Sequence, residues 1–347
     1  MAWPVDAETL ADRSGYPPIN LGQHYTAALS PNGRLWAAIT WPRSADYDGV
    51  LHLIDLITWE DVPTPVKFGK WVPQMAFSPD GSRLVVAEAF LAISSGVSRW
   101  DAGLKIINPD ALEEVLTVDL DFFPGRIQFS ADGRQLTVYG TPPPTRIDPH
   151  HLAANPPQVV AFDVLVGSRR WSLTLEEVKD GRYSEPTTDD PDRINYYSPG
   201  VAFSADGRWL YVVHADEDQL TAVDLAVGSA RTVAITEPQS WLDRLIALTA
   251  GTAYAKGPRS GAEKWAVLSP DGKRLYVTGV QREWQPKQGK QGDGQVVETP
   301  LEMQVIDPHS GERLATAGIA SADLAISPDG RWLYLQLWRQ ANSPGEA

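Results

Sequence analysis

Apolar and polar residues alternate along this chain in short runs that return in one form. An alternating strand meets a turn of the type Ser-Pro/Ala-Asp/Asn-Gly, and a second alternating strand follows. The six copies are AALSPNGRLWAAIT (27–40), MAFSPDGSRLVVAE (75–88), IQFSADGRQLTVYG (127–140), VAFSADGRWLYVVH (201–214), AVLSPDGKRLYVTG (266–279) and LAISPDGRWLYLQL (324–337). A period of two marks strands whose two faces meet different surroundings. In the turns the serine hydroxyl bonds forward to the backbone and proline presets φ at about −65°. Gly33, Gly81, Gly133, Gly207, Gly272 and Gly330 supply the positive φ that closes each turn. Six β-hairpins are predicted.

The repeat glycines lie 48, 52, 74, 65 and 58 residues apart. A four-stranded blade takes roughly 40–50 residues, so each interval predicts one blade plus an insertion. A third strand ending in an acid or amide occurs in every interval: LHLID (51–55), LKIIN (104–108), VVAFD (159–163), LTAVD (220–224) and MQVID (303–307). A fourth strand follows it, as in RWSLTL (170–175) or ARTVAI (230–235). The last hairpin has no such sequel, while residues 3–22 read as a third strand ending at Asp6, a turn and a fourth strand. Residues 1–22 and 324–338 are therefore expected to share the closing blade, which removes free strand edges. The expected fold is all-β, a single propeller over 1–347 with six four-stranded antiparallel blades. Seven blades are the alternative if 176–199 or 237–263 hides a degenerate repeat.

On these residues the chain resembles known repeat families. SPDGKRLYVTG (269–279) resembles the repeats of YVTN/YncE-like propellers, and FSPDGSRL (77–84) is similar to the TolB-like, WD40-like variant. The resemblance implies the propeller fold outside the insertions. It implies extracytoplasmic binding or assembly proteins more often than enzymes, although similar single propellers include lactonases and lyases.

Composition narrows the partners. The chain is 43% hydrophobic and 21% charged, with a formal charge of -14 and no cysteine. Disulfides and thiolate chemistry are excluded. An acidic surface repels phosphate, so nucleic acid is not expected as a partner. No apolar run approaches the roughly 20 residues of a membrane helix, so direct membrane insertion is not expected either. The start MAWPVDAETL shows no basic and apolar leader pattern. An extracytoplasmic (periplasmic or cell-surface) location is expected if a leader has been removed, and a cytoplasmic one otherwise.

Strand order assigns the loops to faces. The first-to-second and third-to-fourth turns are short and share one face. The insertions 89–103, 141–158, 176–199, 237–263 and 280–300 all fall on the other, where binding on a rigid scaffold is usually found. Segment 240–257 reads as a short helix capped by Ser240, with Trp241, Leu245 and Leu248 on one side. Counting back from each turn serine, positions −1 and −3 are apolar and are expected between blades, with −2 facing a central channel. Position −4 is Thr26, Gln74, Arg126, Gly200, Trp265 or Asp323, a candidate ligand ring near which Glu88 and His214 end second strands. Trp41, Trp71, Trp100, Trp241 and Trp284 map to the elaborated face, where indoles either hold sugars or a protein partner or pack between blades. Trp209 and Trp332 read as packing.

Catalytic and metal signals are sparse. The ring offers one carboxylate where calcium wants several oxygens. The loop 176–192 carries seven acids in no ligating pattern, and His150 and His151 have no third partner in view. No cofactor or metal is expected, with Ca2+ the alternative. No Gly-x-Ser-x-Gly, His-Glu-x-x-His or phosphate-cradling loop is present. The sequence reads best as a binding or scaffold propeller that engages a protein, peptide or glycan through its insertion face. The competing reading is a lactonase-like hydrolase or lyase of small molecules, using the channel mouth and a divalent cation.

Overall fold

A computed structural model describes residues 24–40, 49–68, 71–94, 97–146, 152–185, 194–236, 261–286 and 294–337. Among these the regular structure is entirely β. The chain divides into two compact units, Met1–Pro143 with Gln158–Ser172, and Pro144–Pro157 with Leu173–Ala347.

The first unit holds antiparallel four-stranded meanders. Blade one is β1 (His24–Leu29), β2 (Leu35–Thr40), β3 (Gly49–Asp55) and β4 (Glu60–Phe68). Blade two is β5 (Trp71–Phe77), β6 (Leu84–Ser94), β7 (Val97–Asn108) and β8 (Glu113–Leu120). Blade three begins with β9 (Phe123–Phe129) and β10 (Gln135–Thr141). After an insertion it continues through β13 (Gln158–Asp163) and β14 (Arg169–Thr174).

The second unit starts with two inserted hairpins, β11 (Thr145–Arg146) with β12 (Leu152–Ala153) and β15 (Gly181–Ser184) with β16 (Ile194–Ser198). Blade four is β17 (Gly200–Phe203), β18 (Trp209–Val213), β19 (Gln219–Asp224) and β20 (Ser229–Ala234). Blade five runs β21 (Gly261–Leu268), β22 (Leu275–Pro286), β23 (Gly294–Ile306) and β24 (Arg313–Ile326). The second half of β24 turns away to pair with β25 (Leu333–Leu337), the last of the six hairpins. This is blade architecture of the β-propeller class.

All six hairpin turns close as their chemistry dictates. Their glycines have φ between 67° and 73°. Each turn serine donates to the Asn or Asp two residues on at 2.5–2.7 Å. The same hydroxyl accepts the backbone N–H five residues on at 2.8–3.0 Å. The serine bond is the main cause of the lowered pKa of Asp80, Asp132, Asp206, Asp271 and Asp329. A Cβ on Gly81 would meet Pro31, one on Gly133 Pro79, and one on Gly330 Pro270, at 3.3–3.8 Å. Successive turns within a unit therefore share a face.

A second repeated turn, invisible as a motif until the strands are placed, joins third to fourth strands. An Asp or Asn is followed four residues later by a left-handed residue. That residue is Gly167, Gly228 or Gly311 in three blades, but Trp59 (φ 59°) and Leu112 (φ 57°) in the first two.

The cores lie between neighbouring blades, and they correct the reading of the inner strands. Met75 and Phe77, at −3 and −1, pack toward blade one against Ala37, Ile39 and Phe68. Ala76, at −2, packs toward blade three against the cluster that includes Ile127 and Phe129. Ala202, another −2 residue, sits in the core shared with blade five. Position −2 is thus an inter-blade position: a sheet stacked on both faces buries both sides of its strands. Two expected packing residues are instead exposed, Leu29 at 57% and Trp332 at 63%.

Among the described residues, strands stand in the insertions where loops were expected. Residues 89–94 with 97–103, and 280–286 with 294–300, prolong the β6–β7 and β22–β23 pairings far beyond the blade. Segments 141–158 and 176–199 contain the hairpins β11–β12 and β15–β16. Residues 1–22 and the expected helix 240–257 lie outside the described residues.

Candidate functional site

Register shows that the −4 positions correspond from hairpin to hairpin. Each pairs with the sixth residue after its repeat glycine: Thr26 with Ile39, Gln74 with Ala87 and Arg126 with Tyr139 in the first unit. In the second unit the pairs are Gly200 with Val213, Trp265 with Thr278 and Asp323 with Gln336. Thr26, Gln74 and Trp265 are half-buried and Arg126 is exposed. Glu88 is buried on β6 opposite Gly103. Trp71 pairs with Ala89 and Trp284 with Val296 in the ladders. Trp100 is half-buried with its ring 5.6 Å from that of Phe123, against the core between blades two and three, so its role is packing. Trp41, Trp241, His150 and His151 lie outside the described residues. Among the described residues no three His, Asp or Glu side chains are grouped to hold a metal.

The acid-rich loop does form a cluster, in the second unit beneath the β15–β16 hairpin. The inner face of that hairpin carries Tyr183, Asn195 and Tyr197, and Tyr197 packs on Ala215 and Ala262. Lys179 contacts Glu185 at 2.5 Å and Asp216 at 3.3 Å, with its ammonium 5.1 Å from the Tyr197 ring centroid. Glu185 also accepts from Asn195 at 2.5 Å and from the Tyr197 hydroxyl at 2.8 Å. Burial opposes the charge on Lys179, but the Glu185 hydrogen bond and the two carboxylates outweigh it and raise its pKa. Burial and the Glu185 bond push Tyr197 up to about 12. A lysine held charged and a phenol held protonated are no nucleophiles at neutral pH. The cluster clamps the hairpin.

Beside it His214 is wholly buried, with Nε2 2.8 Å from the Thr221 hydroxyl, which lies 2.9 Å from that of Thr232. Burial lowers its pKa. Blade one contains a similar rung. Thr40 Oγ1 lies 3.0 Å from His52 Nε2, and His52 Nδ1 lies 2.8 Å from Asp61. Hydroxyl, imidazole and carboxylate in a row have triad order. Yet Thr40 and His214 are equivalent residues, each seventh after its repeat glycine, and their partners His52 and Thr221 sit on equivalent third-strand positions. The two blades use the same histidine–threonine rung with the partners exchanged. An exchange that keeps the hydrogen bond and reverses the roles is what a structural rung permits and a catalytic one does not.

The outer side of the hairpin is a continuous surface. Cross-strand pairs run Arg182–Tyr196, Tyr196–Gly261, Gly261–Arg282 and Arg282–Glu298, across β15, β16, β21, β22 and β23. Residues in register share a face, so this row presents together. Tyr196 is 48% exposed. Arg282 donates to Glu263 at 2.7 Å and to Glu298 at 2.8 Å. The β16–β21 pairing is parallel and depends on Gly261, whose φ is 142° and whose Cβ would lie 2.0 Å from the Tyr196 carbonyl oxygen. The hairpin β11–β12 joins the same layer through Ala154 N–H to Arg182 O at 2.7 Å. None of these row residues was singled out from sequence. The alternation of INYYS (194–198) marks a strand, but its parallel partner lies more than sixty residues on.

Comparison with solved structures supports the fold. A Kuenenia stuttgartiensis hydrazine synthase superposes with a TM-score of 0.52 at 17% identity, over 94% of this chain and 76% of that one. The chain is a β-propeller. Looser matches are the β-propeller domain of Myceliophteria thermophila Cps50 (Swd1), at TM-score 0.43, 12% identity and 90% and 92% coverage, and TolB from Acinetobacter baumannii, at 0.39, 15%, 87% and 57%. No protein-family model matches the chain and no curated protein sequence matches it. At these identities the likeness is one of fold alone. Among the described residues no helix is long and apolar enough to cross a membrane.

Proposed function

We propose that this propeller is a non-catalytic binding or scaffold module that engages a protein, peptide or glycan through its insertion-bearing rim. One observation carries the reading. In the second unit the inserted hairpins are tied to each other and to blade five as an ordered sheet whose outer row presents the exposed Arg182, Tyr196 and Glu298, while Lys179, Glu185 and Asp216 beneath it are consumed in clamping it. A rigid surface with spent chemistry underneath suits recognition.

The test compares the protein with a variant whose 182–195 tip is replaced by a short Gly-Ser turn, on peptide-display and glycan arrays. Binding by the parent and its loss in the variant are expected. Turnover of lactone substrates that EDTA abolishes, or that His52→Ala abolishes in the absence of any array binding, would overturn the reading.

A further inference from the structure

Resting on the binding reading above, we propose that the row Tyr196–Gly261–Arg282, with Glu263 and Glu298, is a subsite for one residue of a neutral oligosaccharide. Three features of the row specify that ligand. The first is the aromatic platform. Tyr196 is the half-exposed ring of the row. An exposed ring binds the C–H face of a sugar, and its hydroxyl reaches the edge.

The second is the spacing. Gly261 stands between Tyr196 and Arg282 in register, so no side chain separates the ring from the guanidinium. A Cβ at 261 would lie 2.0 Å from the Tyr196 carbonyl oxygen, so the close approach of β16 and β21 keeps this position bare.

The third is the polar wall. Arg282 uses Nε for Glu298 and one terminal nitrogen for Glu263. A guanidinium has five N–H groups, so donors remain on its outer edge, and each carboxylate keeps a second oxygen. Fixed donors and acceptors alternate along this wall, which matches vicinal hydroxyls, each of which donates and accepts. The side chains hold one another in place, so little ordering cost falls on binding.

Charge decides between neutral and acidic sugars. Arg182 and Arg282 offset Glu263 and Glu298, and Asp180 adds a negative charge near Tyr196, within a chain of formal charge -14. A uronate gains nothing from a guanidinium already neutralised twice, and the overall field repels it.

The experiment is calorimetric titration of the full chain with three probe sets: neutral gluco-, galacto-, manno- and N-acetylglucosamine oligosaccharides of four to six residues, oligouronates of the same length, and the peptides recovered by display. We expect at least one neutral set to bind and the uronates not to. Tyr196→Ala should weaken that binding at least about tenfold with an unchanged melting temperature. Arg282→Lys, which keeps the charge and loses the fork, should weaken it comparably. Neutral-sugar binding untouched by both variants overturns the subsite. Peptide binding without sugar binding overturns the saccharide inference and leaves the binding-module reading standing. Uronate binding in preference to neutral sugar also overturns it.

Discussion

Substituting Gly261 by alanine should unfasten the rim without unfolding the blades. The φ of 142° costs an L-residue about 1–2 kcal/mol. The new Cβ would also lie 2.0 Å from the Tyr196 carbonyl oxygen and 2.9 Å from its nitrogen. No side-chain adjustment relieves a backbone collision, so β16 and β21 must part. That escape limits the cost. The parallel pairing covers three register pairs, Tyr196–Gly261, Tyr197–Ala262 and Ser198–Glu263. At about 1 kcal/mol net per ladder hydrogen bond, release costs about 3 kcal/mol. The Lys179–Glu185–Asp216 clamp keeps the hairpin attached to blade four, so the separation stays local. Hydrogen exchange read by mass spectrometry should show amides 194–198 and 261–263 losing about a hundredfold in protection, since each 1.4 kcal/mol is about tenfold. Amides of β18, β19 and β22 below Val280 should keep theirs. Unchanged exchange at 194–198 in a variant of parental melting temperature would refute the collision argument.

Other expectations follow from the same geometry. Gly272→Ala meets nothing within 4 Å and has only its φ of 71° against it, so it should cost about 1 kcal/mol in urea denaturation and leave exchange at 194–198 unchanged. Burial lowers the pKa of His214 below its ordinary 6.5, so the unfolded chain binds a proton that the folded chain refuses. Stability should therefore fall as pH drops from 6.5 toward that lowered value, and His214→Gln should flatten the difference between urea midpoints at pH 5 and 7.5. Thr40→His with His52→Thr, the exchange that blade four already displays, should recover most of the stability that either change alone loses. A double-mutant cycle showing no coupling would disqualify the rung as a structural unit.

What could be read beforehand was whatever is local. Ser269, Asp271 and Gly272 lie within four residues, and their turn follows from backbone sterics and one hydroxyl. The third-to-fourth strand turn was harder, because two of its five left-handed residues are Trp59 and Leu112, which hide the glycine pattern. Strand prolongation through Leu91 was also written locally, in the apolar run FLAI (90–93) before Ser94, Ser95 and Gly96. The channel-facing reading of Ala76 and Ala202 failed for another reason. Period two shows that a strand has two different sides, and says nothing about whether the smaller side faces water or a neighbouring sheet.

The rim was illegible in principle. Tyr196 and Arg282 are brought into one row by a parallel pairing across an entire intervening blade, and neither residue carries a motif. The repeats make this possible. Because blade four is a complete four-stranded sheet with its own turns, β16 before it and β21 after it pair without entering its ladder. The layer is held by backbone space at Gly261 and by the ion pairs of Lys179 and Arg282. Its residues lie outside the blade consensus, so the repeats announce the fold while the proposed binding surface lies in residues that obey no repeat.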